Sequence, residues 1–385
     1  MPEATLQSKS RLTFVIYKIS AGGAQRVLTL LVNELFEKGW AVTLLTFDDG
    51  SEPAFFKLHS GVRHRPLSLM RDQGSWWKSA KVFFLRPWLL RKAIKWSRPN
   101  AVIAFIDLTN ILTLVATTGL KFPVIISERG NPARHMMGKF WAVMRQWVYK
   151  RSACLVVQTS EARSFFSSSI QNRSRVISNP VLVPDDFDIN FKIEAGAKIL
   201  MAMGRLSDEK GFDLLIKAFA PLCAKFADWT MEIWGEGEER QGLENLRDEL
   251  GLRERVLLPG LAKEHYKTML RADIFVLSSR YEGFPNVLGE AMACGLPVVS
   301  FDCPSGPSEM INNGMNGILV PAENILGLSA SLEKLMGSME LRKCLGAEAR
   351  KISDRFCLNK IVRCWLIVAV AVERGGTNLV LLAEF

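Results

Sequence analysis

Short apolar runs separated by helical stretches recur along this chain, stop at a segment rich in Pro and Asp, and then start again. The first series is 12–17, 41–47, 101–105, 124–126, 155–158 and 176–177, with a helix expected over 24–38. The second is 198–203, 229–234, 256–258, 274–277, 298–301 and 317–320. Runs this brief and continuous suit strands covered on both faces, and strands alternating with helices imply a parallel, doubly wound sheet. A chain of 385 residues also exceeds one ordinary hydrophobic core. The expected fold class is therefore α/β, with two doubly wound units and a linker over 179–190. Ligands of such sheets bind beyond the carboxyl ends of the strands. The turns carrying Gly22-Gly23 and Gly204 each follow the first strand of a series, which puts them at that end.

The densest chemistry lies in 280–295, Arg-Tyr-Glu-Gly-Phe-Pro-Asn-Val-Leu-Gly-Glu-Ala-Met-Ala-Cys-Gly. Gly283 and Pro285 make a turn, and a helix is expected from Val287, with Leu288, Ala291 and Met292 on its apolar face and Gly295-Leu296-Pro297 ending it. Glu282 then stands before the helix and Glu290 about one turn inside it. The helix start favours an anion such as phosphate, whereas carboxylates suit hydroxyl groups. A ligand carrying both, such as a sugar nucleotide, fits that mixture. A solvated helix residue and a turn carboxylate are the plainer readings of Glu290 and Glu282.

The pair resembles the Glu-x7-Glu signature of family 4 retaining glycosyltransferases of the GT-B fold. Further blocks follow in family order. Gly204-Arg205 with Lys210-Gly211 is similar to the family's glycine-arginine and lysine-glycine pattern, and Ser20 to Arg26 resembles its glycine-rich loop. Asn179-Pro180 resembles its interdomain junction. The resemblance implies two facing Rossmann-like domains with an interdomain cleft: an acceptor-side domain over 1–180, a nucleotide-sugar domain over 181–355, and a tail over 356–385 that crosses back to the first. It implies that Arg205 and Lys210 hold the donor diphosphate, that Glu282 faces the donor sugar and that Glu290 holds the ribose. Gly204, Gly283, Phe284, Asn286 and Val287 would line the donor, and Gly22 and Gly23 would let the first domain's backbone come close. Trp234 to Gly237 and Leu261 to Tyr266 resemble segments on the base side. Many relatives carry a histidine after the strand at 124–126, where this chain has Ser127-Glu128-Arg129; Glu128, Arg129 or His135 could occupy that place. Basic side chains and helix ends serve where other folds use a divalent metal, so no cofactor or metal is expected. Asp186-Phe187-Asp188 reads as hydrophilic linker.

The implied activity is transfer of a hexose or N-acetylhexosamine from a UDP-sugar to a lipid-linked glycan in cell-surface polysaccharide or lipopolysaccharide biosynthesis. A catalytically inactive sugar-nucleotide module and a UDP-sugar epimerase of the same fold are the alternatives. A nicotinamide dehydrogenase is disfavoured because Gly22-Gly23 is not a G-x-G-x-x-G, and no pyridoxal lysine site for a phosphorylase is evident.

The seven cysteines lack metal spacing and read as reduced thiols. The polar amino terminus has no signal-like apolar core, and no run approaches the roughly 18 apolar residues of a spanning helix. Net charge is +10. Basic residues interleave with tryptophans at 76–98 and again at 139–151. Such segments suit an anionic membrane surface, against the plainer reading of solvated helices with core-facing tryptophans. No nucleic-acid motif accompanies the charge. The expected location is cytoplasmic, peripheral on the inner face of the cytoplasmic membrane.

Overall fold

The computed structural model describes residues 10–20, 22–70, 76–134, 138–182 and 198–375, with the side chains of 76–84 left aside. His135, the Asp186 to Asp188 triplet and residues 376–385 lie outside the described residues. The chain divides into two compact units, one of residues 1–178 with 359–385, the other of 179–358.

In the first unit the elements run β1 (Arg11–Ile16), α1 (Gly23–Glu37), β2 (Ala41–Thr46), β3 (Arg63–Pro66), α2 (Trp76–Ser97), β4 (Ala101–Phe105), α3 (Asp107–Ala116), β5 (Val124–Ser127), α4 (Lys139–Val148), β6 (Cys154–Val157) and β7 (Ser174–Val176). The strands form one seven-stranded sheet in the order β3-β2-β1-β4-β5-β6-β7, and every pairing is parallel. Nearly every residue of β4, β5 and β6 is buried, as befits strands with helices on both faces. The edge strand β3 escapes sequence detection for the opposite reason. Its Arg-His-Arg-Pro is mostly exposed and carries no apolar signal, and charge and proline are typical of an edge.

The second unit runs β8 (Lys198–Met203), α5 (Phe212–Phe219), β9 (Trp229–Trp234), α6 (Arg240–Glu249), β10 (Val256–Gly260), α7 (His265–Met269), β11 (Ile274–Leu277), α8 (Asn286–Ala293), β12 (Val298–Asp302), β13 (Ile318–Pro321), α9 (Ile325–Gly337) and α10 (Met339–Ala349). Its six-stranded sheet has the order β10-β9-β8-β11-β12-β13, again all parallel. Trp229, Phe219, Leu215 and Ile233 anchor one side of this sheet in a continuous apolar cluster.

Both sheets reverse strand order in the same manner. The chain moves outward from β1 to β3, then returns to place β4 on the other side of β1; β8, β10 and β11 repeat this. Loops after β1 and β4, and after β8 and β11, therefore diverge and leave a crevice at each switch point. Gly22 and Gly23 follow β1. Gly204 to Lys210 follow β8, and Ser278 to Glu282 follow β11.

The tail has a clear structural role. Helix α11 (Leu358–Glu373) belongs to the first unit. Its buried residues Ile361, Trp365, Val368 and Val372 recur every three or four positions, the spacing of one helical face. Trp365 is 1% exposed and stacks on Phe105 of β4, with ring centroids 5.5 Å apart. Near the far end, Ser10 Oγ donates to Glu373 Oε1. Trp365→Ala is expected to destabilise the first unit by about 3–5 kcal/mol, the usual loss for emptying a buried aromatic site, measured by denaturant unfolding.

Candidate functional site

The site residues of the second unit are held by backbone packed on backbone. Gly204 N–H donates to Trp234 O at 2.9 Å, and Gly235 N–H donates to Gly260 O at 2.8 Å. A Cβ on Gly235 would stand 1.8 Å from Gly204 O, so no other residue allows this approach. Gly211 has φ 58°, the left-handed region, and a Cβ there would meet Ser278 O at 2.2 Å. Ser278 Oγ donates to Lys210 O at 2.9 Å. These contacts bring the loops after β8, β9 and β11 together.

On that frame Lys210 and Glu282, 72 positions apart, form an ion pair with Nζ 2.7 Å from Oε1. Ser279 Oγ donates to the same Oε1 at 2.7 Å. The side chains are 19% and 8% exposed. Burial works against the ammonium, but the charge and hydrogen bond of Glu282 prevail and hold Lys210 above the ordinary lysine range. Arg205 on the same loop is exposed. Arg280 braces the arrangement. Its Nη1 donates to Asp208 O at 2.6 Å and its Nη2 to Asp213 Oδ2 at 3.0 Å, while its N–H donates to Glu209 O.

Helix α8 begins at Asn286, behind Pro285. The first-turn amides of Asn286, Leu288 and Gly289 donate to the carbonyls of Phe284 and Pro285. Loop carbonyls thus occupy donors that the sequence leaves unassigned. Asn286 Oδ1 accepts from Asn179 Nδ2 at 2.7 Å, tying the Asn-Pro junction to the helix start. Phe284 is buried edge-on against Phe356. Gly283 and Val287 are half-buried at the turn and second helical position. Glu290 is 7% exposed, with Oε2 3.5 Å from His265 Nε2 of α7.

In the first unit, Gly22 precedes α1 in extended conformation and accepts from Arg26 N–H at 3.0 Å. After β5, the Glu128 carboxylate is buried and accepts from Tyr149 OH. Asn110 Nδ2 donates to that hydroxyl at 3.1 Å and to Ser127 O at 2.9 Å. Burial first, and the Glu128 charge next, push the Tyr149 phenol well above its ordinary pKa. The Arg129 guanidinium lies 4.7 Å from the Phe105 ring centroid and 5.3 Å from that of Trp365. Burial lowers its pKa below the usual arginine value. Glu128 is thus part of the interior of this unit, and Arg129 is half-buried beside the two rings.

Sequence reasoning missed Ser279, Arg280, His265 and Tyr149 as neighbours of the candidate residues. Ser279 and Arg280 sit inside or beside the Glu-x7-Glu block, which was a usable signal. His265 lies within the Leu261 to Tyr266 segment that resembles the base side, but its place beside Glu290 comes only from folding, as does that of Tyr149 beside Glu128.

Two parallel sheets, each with a loop crevice at its switch point, have the architecture of the GT-B fold, and solved structures support it. Sucrose-phosphate synthase from Thermosynechococcus elongatus aligns with a TM-score of 0.81 at 16% identity, covering 95% of this chain and 100% of that one. HepE from Anabaena, in complex with UDP, aligns with a TM-score of 0.76 at 19% identity over 94% and 100%.

The family model for glycosyl transferases group 1 matches residues 185–352, and that for the glycosyl transferase 4-like domain matches 22–180; the chain belongs to this glycosyltransferase family. One similar protein is the Campylobacter jejuni alpha-1,4-N-acetyl-D-galactosaminyltransferase named for a GalNAc- and diNAcBac-bearing PP-undecaprenol, 29% identical over 95% of this chain and 99% of its own length. A second is the Campylobacter jejuni N-acetylgalactosamine-N,N'-diacetylbacillosaminyl-diphospho-undecaprenol 4-alpha-N-acetylgalactosaminyltransferase, 26% identical over 92% and 97%.

The ion pair yields a stability test. Glu282→Ala leaves the withdrawn ammonium uncompensated and is expected to cost about 3 kcal/mol in denaturant unfolding. Combining it with Lys210→Met is expected to recover most of that loss, because neither charge then remains.

Proposed function

We propose that the enzyme is a retaining transferase that moves a hexose or N-acetylhexosamine from a UDP-sugar to a lipid-linked glycan. The observation that carries this is the meeting of Gly204 to Lys210 with Ser278 to Glu290 at the switch point of the second unit. There a basic loop, a helix start and two buried carboxylates lie on adjoining strand ends.

In this scheme the bond from the sugar's anomeric carbon to the β-phosphate oxygen breaks, and a bond to the acceptor oxygen forms on the same face. The acceptor proton passes to the departing phosphate, and UDP leaves. Arg205 and Lys210 face the diphosphate as its negative charge grows, stabilising the transition state more than the ground state. Glu282 accepts from donor-sugar hydroxyls while Lys210 and Ser279 hold its carboxylate. Glu290 accepts from the ribose, and Gly204, Gly283, Phe284, Asn286 and Val287 shape the donor's surroundings. Gly22 and Gly23 lie at the first unit's own switch point, after β1. Because the two cations supply the charge, the scheme uses no divalent metal. The UDP complex of HepE and the lipid-linked acceptors named for the Campylobacter relatives favour this donor and acceptor class. Lipopolysaccharide core transferases LpsE and LpsD of Rhizobium meliloti are also similar over part of the chain, which favours a cell-surface polysaccharide role.

A lipid-linked acceptor calls for residence at a membrane, and we place the enzyme on the cytoplasmic face. No described helix is long and apolar enough to span a bilayer. Helix α4 instead exposes Phe140, Val143 and Trp147 by 61%, 60% and 75%. These positions share one helical face. No acidic residue occurs from 132 to 160, whereas Lys139, Lys150 and Arg151 do. Helix α2 adds exposed Trp88 and Trp96, each with a cation over or near its ring. Apolar and aromatic groups among uncompensated cations suit an anionic interface, where each cation contributes about 1 kcal/mol.

Two measurements check these assignments. Glu290→Ala is expected to lower UDP release at least about 100-fold with UDP-sugars and lipid-diphosphate acceptors, by loss of charged hydrogen bonds, with the melting temperature nearly unchanged. Wild-type turnover in that variant removes the site. Phe140→Ser with Trp147→Ser is expected to weaken co-sedimentation with anionic vesicles about tenfold or more, and unchanged partitioning removes α4 from the membrane contact.

A further inference from the structure

A carboxylate that selects ribose hydroxyls must be aimed as well as present. Glu290 sits inside α8 with only 7% of its surface exposed, so its rotamer is set by neighbours more than by water. His265 comes from α7, 25 residues earlier in the chain, and puts Nε2 3.5 Å from Glu290 Oε2. That nitrogen is shut off from solvent and makes no hydrogen bond among the described residues. A buried N–H left open is costly, and the carboxylate is an acceptor within a short side-chain adjustment. The imidazole itself is held. Its ring lies 4.0 Å from that of Tyr266, and Tyr266 OH donates to Leu182 O, which fastens α7 to the start of the second unit.

We infer that His265 is a positioning residue for nucleotide recognition: its Nε2–H bonds one oxygen of Glu290 and turns the carboxylate toward the ribose hydroxyls of the donor. This rests on the proposed donor site and deepens it. Loss of the imidazole then weakens recognition of the ribose selectively, because the contacts to phosphate and base do not pass through Glu290. A glutamine at 265 restores a donor at nearly the place of Nε2, whereas leucine or alanine supplies none.

The test uses the full chain and UDP, 2′-deoxy-UDP and 3′-deoxy-UDP as calorimetric probes, so no acceptor is needed. Wild-type protein is expected to prefer UDP over one or both deoxy forms by about 10- to 100-fold, the range for hydrogen bonds to a charged group. His265→Leu and His265→Ala are expected to reduce this preference about tenfold, with affinity for the deoxy form within about threefold of wild type. His265→Gln is expected to retain most of the preference. A merely structural role would lower all three affinities together, and glutamine would not rescue it; that result overturns the inference. Glu290→Ala separates the two layers. If it abolishes the preference while His265→Leu and His265→Ala keep it, His265 is not the positioning group. If Glu290→Ala itself keeps the wild-type preference, or UDP does not bind, the proposed donor site fails and the role of His265 with it.

Discussion

A buried ion pair between Lys210 and Glu282 is the interaction on which the second unit's site depends. The loop after β8 and the loop after β11 meet through it, with Ser279 on the same carboxylate oxygen. Two charges withdrawn from water repay their desolvation only when geometry is close and further hydrogen bonds complete it. Glycines make that closeness possible. Gly211 and Gly235 let carbonyls of neighbouring loops approach where a Cβ would collide. Backbone packing, ion pair and strand order thus form one structural unit, and a change at any of them reaches the others.

This pairing refines the division of labour between the charged groups. Lys210 and Glu282 read separately as a phosphate contact and a sugar contact, yet in the fold each is the other's partner. The ammonium is held protonated by the carboxylate, and the carboxylate is oriented by the ammonium. Arg205 is exposed by comparison, so the two cations of one short loop are prepared in different ways. One is fixed by a partner, and the other stands at the surface.

The strands were legible because parallel strands buried on both faces leave unbroken apolar runs. β4, β8, β9 and β11 lie where those runs lie. Strand β3 was illegible because an exposed edge has no such requirement. The apolar stretch at 366–372 finds its place in α11, which buries one face within the first unit. Glu128 and Arg129 were candidates by position; the fold places one against Tyr149 and the other beside the Phe105 and Trp365 rings. His265 falls in a segment legible as base-side, but its pairing with Glu290 was not, because the two lie on different helices.

Helix and strand periods, turn chemistry and the order of the glycine and carboxylate blocks were settled by the amino-acid sequence alone, since each depends on residues within a turn or two of one another. Tertiary structure alone decided which charge meets which. Lys210 reaches Glu282 across 72 positions because parallel pairing sets β8 beside β11, and Trp365 reaches Phe105 because the last helix folds back onto the first unit. Those contacts are consequences of strand order and burial, which no local stretch of the chain contains.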